Sequence, residues 1–295
     1  MDDVALEAGD LRALFTPEAG MVCRSLRHAG EELLTQRDGV EGYARSGRTM
    51  GVPLLHPWAN RLARWDYEAL GHRVDLEPLR GRVVKADGDT GLPMHGALPV
   101  AWEVLEATPA RLTAERAPAD EGIRAAFPFP HRIRLEAELA PCELRIATTI
   151  EALEGEVPVT FGFHPYVTLP GVARADYEVE IPPMRRLALD ASKVPTGVTE
   201  DAPALAGALG DRDLDDGFDS VPDGAAFAAA GGGRRVVVRF EHGFPCAQVF
   251  APAAKDLICF EPMTARTDAL RTGAFGVAEP GRPYTAVFTI AVDFN

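Results

Sequence analysis

The sequence predicts an all-β chain, a sandwich or barrel of short antiparallel strands with few or no long helices. Three observations carry that reading: stretches of strict two-residue alternation, turn-forming clusters between them, and the lack of any sustained helical period. The first β-rich run, Arg82–Ala86, ends at the turn cluster Asp87-Gly88-Asp89. In His131–Ala140, Ile133, Leu135, Ala137 and Leu139 alternate with Arg132, Arg134, Glu136 and Glu138, which puts one face in a core and the other in water. Pro141 interrupts, and Leu144, Ile146, Thr148 and Ile150 resume the alternation, so a hairpin is expected. Tyr177–Ile181 follows, then Arg235–Phe240 after the glycines 231–233, then Ala247–Ala251 and Leu257–Glu261. Tyr284–Phe294 closes the series behind Glu279-Pro280-Gly281. The best helical candidate, Ala202–Leu209, is limited by Pro203 and Gly207 to a turn or two.

Composition narrows the function. The 295 residues hold 46% hydrophobic and 25% charged side chains, which is ordinary globular usage, and the 28 Gly and 24 Pro exceed average usage. A formal net charge of −14 disfavours nucleic acid and anionic membrane surfaces, both of which reward a basic face. No segment approaches the roughly 18 apolar residues of a membrane helix. The acidic start, Met1 to Glu7, has no secretory pattern, so a cytoplasmic protein is expected. Cys23, Cys142, Cys246 and Cys259 show no C-x-x-C spacing and read as reduced, mostly buried thiols. Without a repeat or a long linker, residues 1–295 are expected to form a single domain. Pro109–Gly122 and Val194–Gly224, rich in Ala, Pro, Gly and Asp, are expected to be long surface loops.

Reactive side chains concentrate in a few tightly turned segments. In Gly162-Phe163-His164-Pro165-Tyr166, the proline restricts His164 to extended backbone, and an imidazole suits proton transfer near neutral pH. In Phe260-Glu261-Pro262-Met263-Thr264, Glu261 closes an apolar strand that Pro262 stops. Apolar neighbours would desolvate the carboxylate and make it a stronger proton acceptor. Pro93-Met94-His95-Gly96 supplies another imidazole. His56-Pro57-Trp58-Ala59-Asn60-Arg61 offers a flat ring from Trp58 and hydrogen-bonding groups from Asn60 and Arg61, a mixture that suits polyhydroxylated ligands. Taken singly, each of these residues is as well explained by packing or capping. His95, His164 and Glu261 form a two-His, one-carboxylate set, but they are widely spaced and no local His pair anchors them, so no metal is expected. The nucleophile elbow G-x-S-x-G, the P-loop and the dinucleotide fingerprint are all missing, and no cofactor is expected.

In these segments the chain resembles the aldose 1-epimerase (mutarotase) family, the galactose-mutarotase-like sugar enzymes. The resemblance runs in order through Phe15–Gly20 and Leu26–Leu34, Pro53–Arg61, Met94-His95-Gly96 and Phe163–Tyr166. It continues through Leu214-Asp215-Asp216-Gly217-Phe218, Ala247–Phe250 and Glu261–Thr264. It implies a large antiparallel β-supersandwich with its site on a concave face, and an isomerase that interconverts the anomers of an aldose. By the resemblance, Glu261 is the general base for the anomeric hydroxyl and His164 the general acid for the ring oxygen. Asn60, Arg61, His95, Asp215 and Gln248 would hold the sugar. Asp213, Asp216 and Asp219 crowd the same run as Asp215. Val167 stands where many members have an aromatic, and Pro57–Arg61 looks more like a shorter branch than the galactose-specific one.

The chemistry fits those residue types. Opening a cyclic hemiacetal requires one proton taken from O1 and one delivered to the ring oxygen, without nucleophile, metal or cofactor. An ionised Glu261 beside a protonated His164 is the expected starting pair. The expected partner is therefore a small-molecule sugar, an aldose or a phosphorylated aldose, bound by a monomer or homodimer. For a hexose-6-phosphate mutarotase, Arg64, Arg266 and Arg271 flank the site segments and are the candidates to meet a phosphate. A non-catalytic carbohydrate-binding module on the same fold is the alternative of a different class. Glycoside hydrolysis, which needs two carboxylates, ranks last because only Glu261 stands out.

Overall fold

The computed structural model of the chain describes residues 1–116 and 121–294. Two large antiparallel sheets dominate it. One has nine strands in the order Glu103–Ala107, Arg111–Arg116, His131–Ala140, Glu143–Ala152, Tyr284–Phe294, Arg234–His242, Ala225–Gly231, Glu178–Ile181 and Leu205–Ala208. The other runs Pro195–Ala202, Met184–Leu189, Leu214–Asp219, Cys246–Ala251, Ile258–Met263, Gly162–Phe163 and Leu54–Leu55, with Tyr166–Val167 also pairing to Ile258–Met263. A four-stranded sheet from Val4 to Glu32 adds to them. The all-β sandwich expected from the sequence is the observed architecture.

The hairpin forms in the expected register, His131 opposite Ala152 through Ala140 opposite Glu143, and Ile133, Leu135, Ala137 and Leu139 are buried. The inner faces of the two large sheets meet through aromatic rings. Phe288 of the nine-stranded sheet lies 4.8 Å from Phe163, and Phe227 lies 5.6 Å from Phe260, centroid to centroid. Each such ring buries a large apolar area and gains further from its partner's edge or face. All four cysteines are free; three are buried, and Cys142 is exposed at the hairpin turn.

Three expectations need correction. Ala202–Leu209 holds no helix. Leu205–Ala208 instead pairs with Glu178–Ile181 as an edge strand, where the ladder supplies the backbone partners that Pro203 and Gly207 would deny a helix. The described α-helices are Gly39–Ser46, Glu121–Ala126 and Ala269–Thr272, and no described helix is long and apolar enough to cross a membrane. The two expected loops are largely strand and helix. Arg111–Arg116 and Glu121–Ala126 occupy the first, with residues 117–120 outside those described, and Pro195–Ala202, Leu205–Ala208 and Leu214–Asp219 occupy the second. Pro195–Ala202 and Leu205–Ala208 are polar, Gly-bearing edge strands with little to bury, and Arg111–Arg116 and Leu214–Asp219 are short interior strands whose charged residues mask the two-residue period. Pro262, finally, does not end its strand but pairs with Ala247 inside it.

Truncating Phe288 to Ala removes a fully buried ring from the contact between the sheets. It should lower the unfolding free energy by about 3–5 kcal/mol, measured from the shift in urea midpoint at unchanged slope. A loss below about 1 kcal/mol would show that the sheets do not depend on this contact.

Candidate active site

Strand alternation decides which side chains leave the sandwich core. Phe163, Val249 and Phe260 point into it, so their neighbours His164, Gln248 and Glu261 emerge on the opposite face of the eight-stranded sheet. That face is covered by the segments around Asn60, Lys85 and His95, and a cleft of about 450 Å³ lies between. The volume is within the range of small-molecule sites.

Sheet register brings the two central residues together. Gly162 pairs with Met263 and Tyr166 with Cys259, a constant register that sets His164 directly opposite Glu261. Beside each stands a proline, Pro165 and Pro262, that has no N–H to give to the ladder. The backbone N–H of His164 is satisfied instead by the carbonyl of Pro53 at 3.3 Å. Nε2 of His164 lies 3.2 Å from Oε1 of Glu261, and both residues are almost entirely buried, 5% and 2% exposed.

Around this pair a hydrogen-bonded chain crosses the cleft floor. Asn60 Nδ2 donates to Gln248 Oε1 at 3.2 Å, and Gln248 Nε2 donates to Asp215 Oδ1 at 2.7 Å. Asp215 also accepts from Lys193 Nζ at 2.6 Å. In the other direction, the Arg61 guanidinium donates to Asn60 Oδ1 at 3.0 Å and to Asp87 Oδ2 at 2.8 Å. Asn60 and His95 both adopt left-handed backbone, φ +56° and +61°, and the N–H of His95 donates to the Asn60 carbonyl at 2.8 Å. Such conformations cost energy in residues with a Cβ and persist where surrounding contacts enforce them. The next residue, Gly96, is at φ +72°, and a Cβ there would sit 2.2 Å from the His56 carbonyl oxygen, so only glycine lets the two segments approach.

Rings hold His164 in place. Tyr166 stacks flat on it, 4.1 Å between centroids and 6° between planes, and His95 meets its edge at 5.6 Å. The Tyr166 hydroxyl is fixed in turn, 2.7 Å from Thr49 Oγ1 and accepting from Arg37 at 3.1 Å. The Nδ1 atoms of His164 and His95 are buried without a hydrogen-bond partner. Among the described residues, no three His, Cys, Asp or Glu side chains converge in a metal-binding arrangement.

Electrostatics departs from the expected charged pair. Burial pushes the Glu261 carboxyl well above the usual carboxylate range, the charge of Asp215 adds to this, and Arg61 opposes it. Burial also pushes the His164 imidazole well below its usual value, helped by the positive charges of Arg37 and Lys85. His95 is depressed by the same means, burial first and then Lys85. Both members of the pair are thus driven toward their neutral forms, with the shared proton on Glu261.

All seven predicted site residues line this one cleft. Asp215 is the only one of the crowded aspartates to do so: Asp213 caps the Ala253 N–H, Asp216 faces Arg186, and Asp219 pairs with Arg266. Trp58 does not reach the cleft. It is buried in the main core against Tyr67, and the apolar surfaces beside the pair come from Tyr166 and Phe250. Nor do the three arginines proposed for a phosphate: Arg64 pairs with Asp66, Arg266 with Asp219 and Arg271 with Asp268, all away from the lining. The lining residues that the sequence reading missed include Arg37, Arg48, Thr49, Lys85, Lys193 and Lys255, which belong to no local motif, and Asp87, read there only as part of a turn.

Comparison with known proteins bears on the fold and the family. A protein from Synechocystis sp. superimposes with a TM-score of 0.79 at 21% identity, over 100% of this chain and 96% of that one. A putative aldose 1-epimerase from Escherichia coli gives 0.78 at 17% identity over 100% and 99%, and a galactose mutarotase-like protein from Clostridium acetobutylicum gives 0.82 at 17% over 99% and 95%. At these identities the likeness is one of fold. A search of curated proteins finds no match. The family model for aldose 1-epimerase, however, matches residues 3–291, nearly the full length, and the chain belongs to the aldose 1-epimerase family.

Proposed function

We propose that this protein is an aldose mutarotase in which Glu261 and His164 exchange protons with the two oxygens of the anomeric carbon. The observation that carries the reading is the 3.2 Å carboxylate–imidazole contact at the floor of a buried, polar, sugar-sized cleft. O1 and the ring oxygen are bonded to the same carbon, so a closely spaced acid and base can reach both at once. The hydrogen-bonded chain Asn60–Gln248–Asp215, with Arg61 and His95, presents donors and acceptors to the sugar hydroxyls.

In the forward step His164 gives its proton to the ring oxygen while Glu261 takes the proton of the O1 hydroxyl. The C1–O5 bond breaks and an open-chain aldehyde forms. Rotation about C1–C2 and the reverse transfers then close the ring as the other anomer. The pair holds one proton throughout, so no exchange with solvent is needed. The forward step leaves the proton on Glu261 and the imidazole neutral, which is the placement that burial favours. The site therefore stabilises its own charge state most when the sugar is open, a preference for the high-energy species over the bound ring. A protein that only held sugar would gain nothing from two buried titrating groups in contact, whose desolvation costs stability.

Glu261→Gln and His164→Asn keep the shapes and remove the proton traffic. Each should lower kcat/KM for anomerisation of a freshly dissolved aldose by about 10²–10⁴-fold, followed by polarimetry, with the circular dichroism spectrum retained. If both variants match the parent on a good substrate, the two roles are misassigned.

The pH profile gives a separate check. Two independent groups would confine the ionised-Glu, protonated-His state to pH values between 4.5 and 6.5, their ordinary values. Here the active form is the pair with one proton. It is lost on the acid side only when His164 takes a second proton, below 6.5, and on the alkaline side only when the raised Glu261 carboxyl gives up its proton. Activity should therefore persist above pH 6.5 into the neutral range, and a steep loss centred at 6.5 would rule the shared-proton pair out.

A further inference from the structure

Only three of the 30 basic residues in this chain are lysine, and all three, Lys85, Lys193 and Lys255, line the cleft. Elsewhere the chain uses arginine. The cleft takes 22 residues of 295 and also carries Arg37 and Arg48 at its mouth, in a protein whose net charge is −14. With Arg61 the lining holds six cations, and three have acidic partners, Lys193 in Asp215, Arg48 in Asp38 and Arg61 in Asp87. Among the described residues the other three have none within ion-pair distance. Arg37 donates to the Thr49 carbonyl and the Tyr166 hydroxyl, Lys85 donates to the Gly47 carbonyl at 2.8 Å, and Lys255 is exposed.

These three cations are close enough to act on shared neighbours. Arg37 and Lys85 both bear on His164, Arg37 and Lys255 both bear on Cys259, and Arg37 bears on Lys85 itself. The half-buried Lys85 amine is held down to about 8, by burial first and then by Arg37, with the charge of Asp87 opposing them only in part. Positive charges that repel one another along a cleft wall are a cost that a neutral sugar does not relieve, since hydroxyls ask for hydrogen bonds rather than net charge. An anion relieves it. Lysine suits that task because its ammonium is a mobile point charge with three rotatable donors, able to follow a tetrahedral phosphate or a carboxylate.

Taking the mutarotase reading as its basis, we infer that the substrate is an anionic aldose, whose phosphate or carboxylate sits among Arg37, Lys85 and Lys255 while C1 meets Glu261 and His164. The shared chemistry is a sugar with a negatively charged group distant from its anomeric carbon. The cations that recognise it are not the arginines that the sequence brought forward.

The test compares D-glucose and D-galactose with their 6-phosphates and their uronates at low ionic strength, by magnetisation-transfer NMR for anomerisation and by calorimetry for binding. We expect kcat/KM for the charged sugars to exceed that for the parents at least tenfold, and added salt to shrink the ratio. Lys255→Gln and Lys85→Gln should each reduce the charged-to-neutral ratio about tenfold. The neutral sugar serves as each variant's own control for folding. A larger effect with the phosphates than with the uronates identifies a phosphate ester, and the reverse identifies a carboxylate. Equal rates and equal binding for charged and neutral sugars would overturn the inference while leaving the mutarotase reading in place, as would a preference that survives Lys85→Gln and Lys255→Gln combined in one chain. Binding of a charged sugar without acceleration of any sugar would do the opposite, sinking the mutarotase reading and keeping the anion site.

Discussion

The contact between Glu261 and His164 is the constraint on which the rest of the cleft depends. Two ionisable groups are held 3.2 Å apart with almost no water around them. Placing either charge alone there would cost several kcal/mol, so the pair is stable only while it shares a proton. Everything adjacent is arranged around that condition. Arg61 tempers the rise of the carboxyl, burial and then Arg37 and Lys85 keep the imidazole from charging, and the flat ring of Tyr166 fixes the plane of the imidazole.

How the chain builds this contact is a matter of strand geometry. One register sets position 164 opposite 261, and one period of two sends Phe163 and Phe260 to the core while their neighbours face the cleft. A slip of a single residue would exchange the two faces and bury the apolar rings in the cleft. The core contacts of Phe163 with Phe288 and of Phe260 with Phe227 therefore lock the register that sets the two side chains face to face. The prolines next to each site residue fit the same scheme, since the ladder is interrupted where two side chains, rather than two backbones, must meet.

Much of this was legible in the sequence, for physical reasons that can be traced. The hairpin from His131 to Ala152 announced itself because one face is core and the other is water. The seven candidate site residues come from motifs shared with a family, and the structure gathers all seven in one cleft. Edge strands such as Pro195–Ala202 and Leu205–Ala208 stayed hidden, because a strand with little to bury has no hydrophobic period to read. Trp58 was misjudged because a large ring next to polar site residues can face either way, and here its turn sends it into the core. The protonation state was misjudged for a different reason. Burial is a property of the assembled sandwich, and no residue's neighbours in sequence reveal how little solvent reaches it. The lysines carried a signal of another kind, their scarcity, which acquires meaning only once their positions in space are known.

The way the two large sheets are threaded has a consequence for how the protein comes into being. His164 and Glu261 sit on paired strands, yet the whole stretch from Tyr177 to Ala251 lies between them and supplies strands to both sheets. Closing so long a loop is entropically slow and is rewarded only when the intervening strands have found their places. The carboxylate–imidazole contact therefore cannot form until Ile258–Met263 has been made and the strands between it and Gly162–Phe163 have been placed. A chain caught partway through assembly carries each half of the pair without the contact between them.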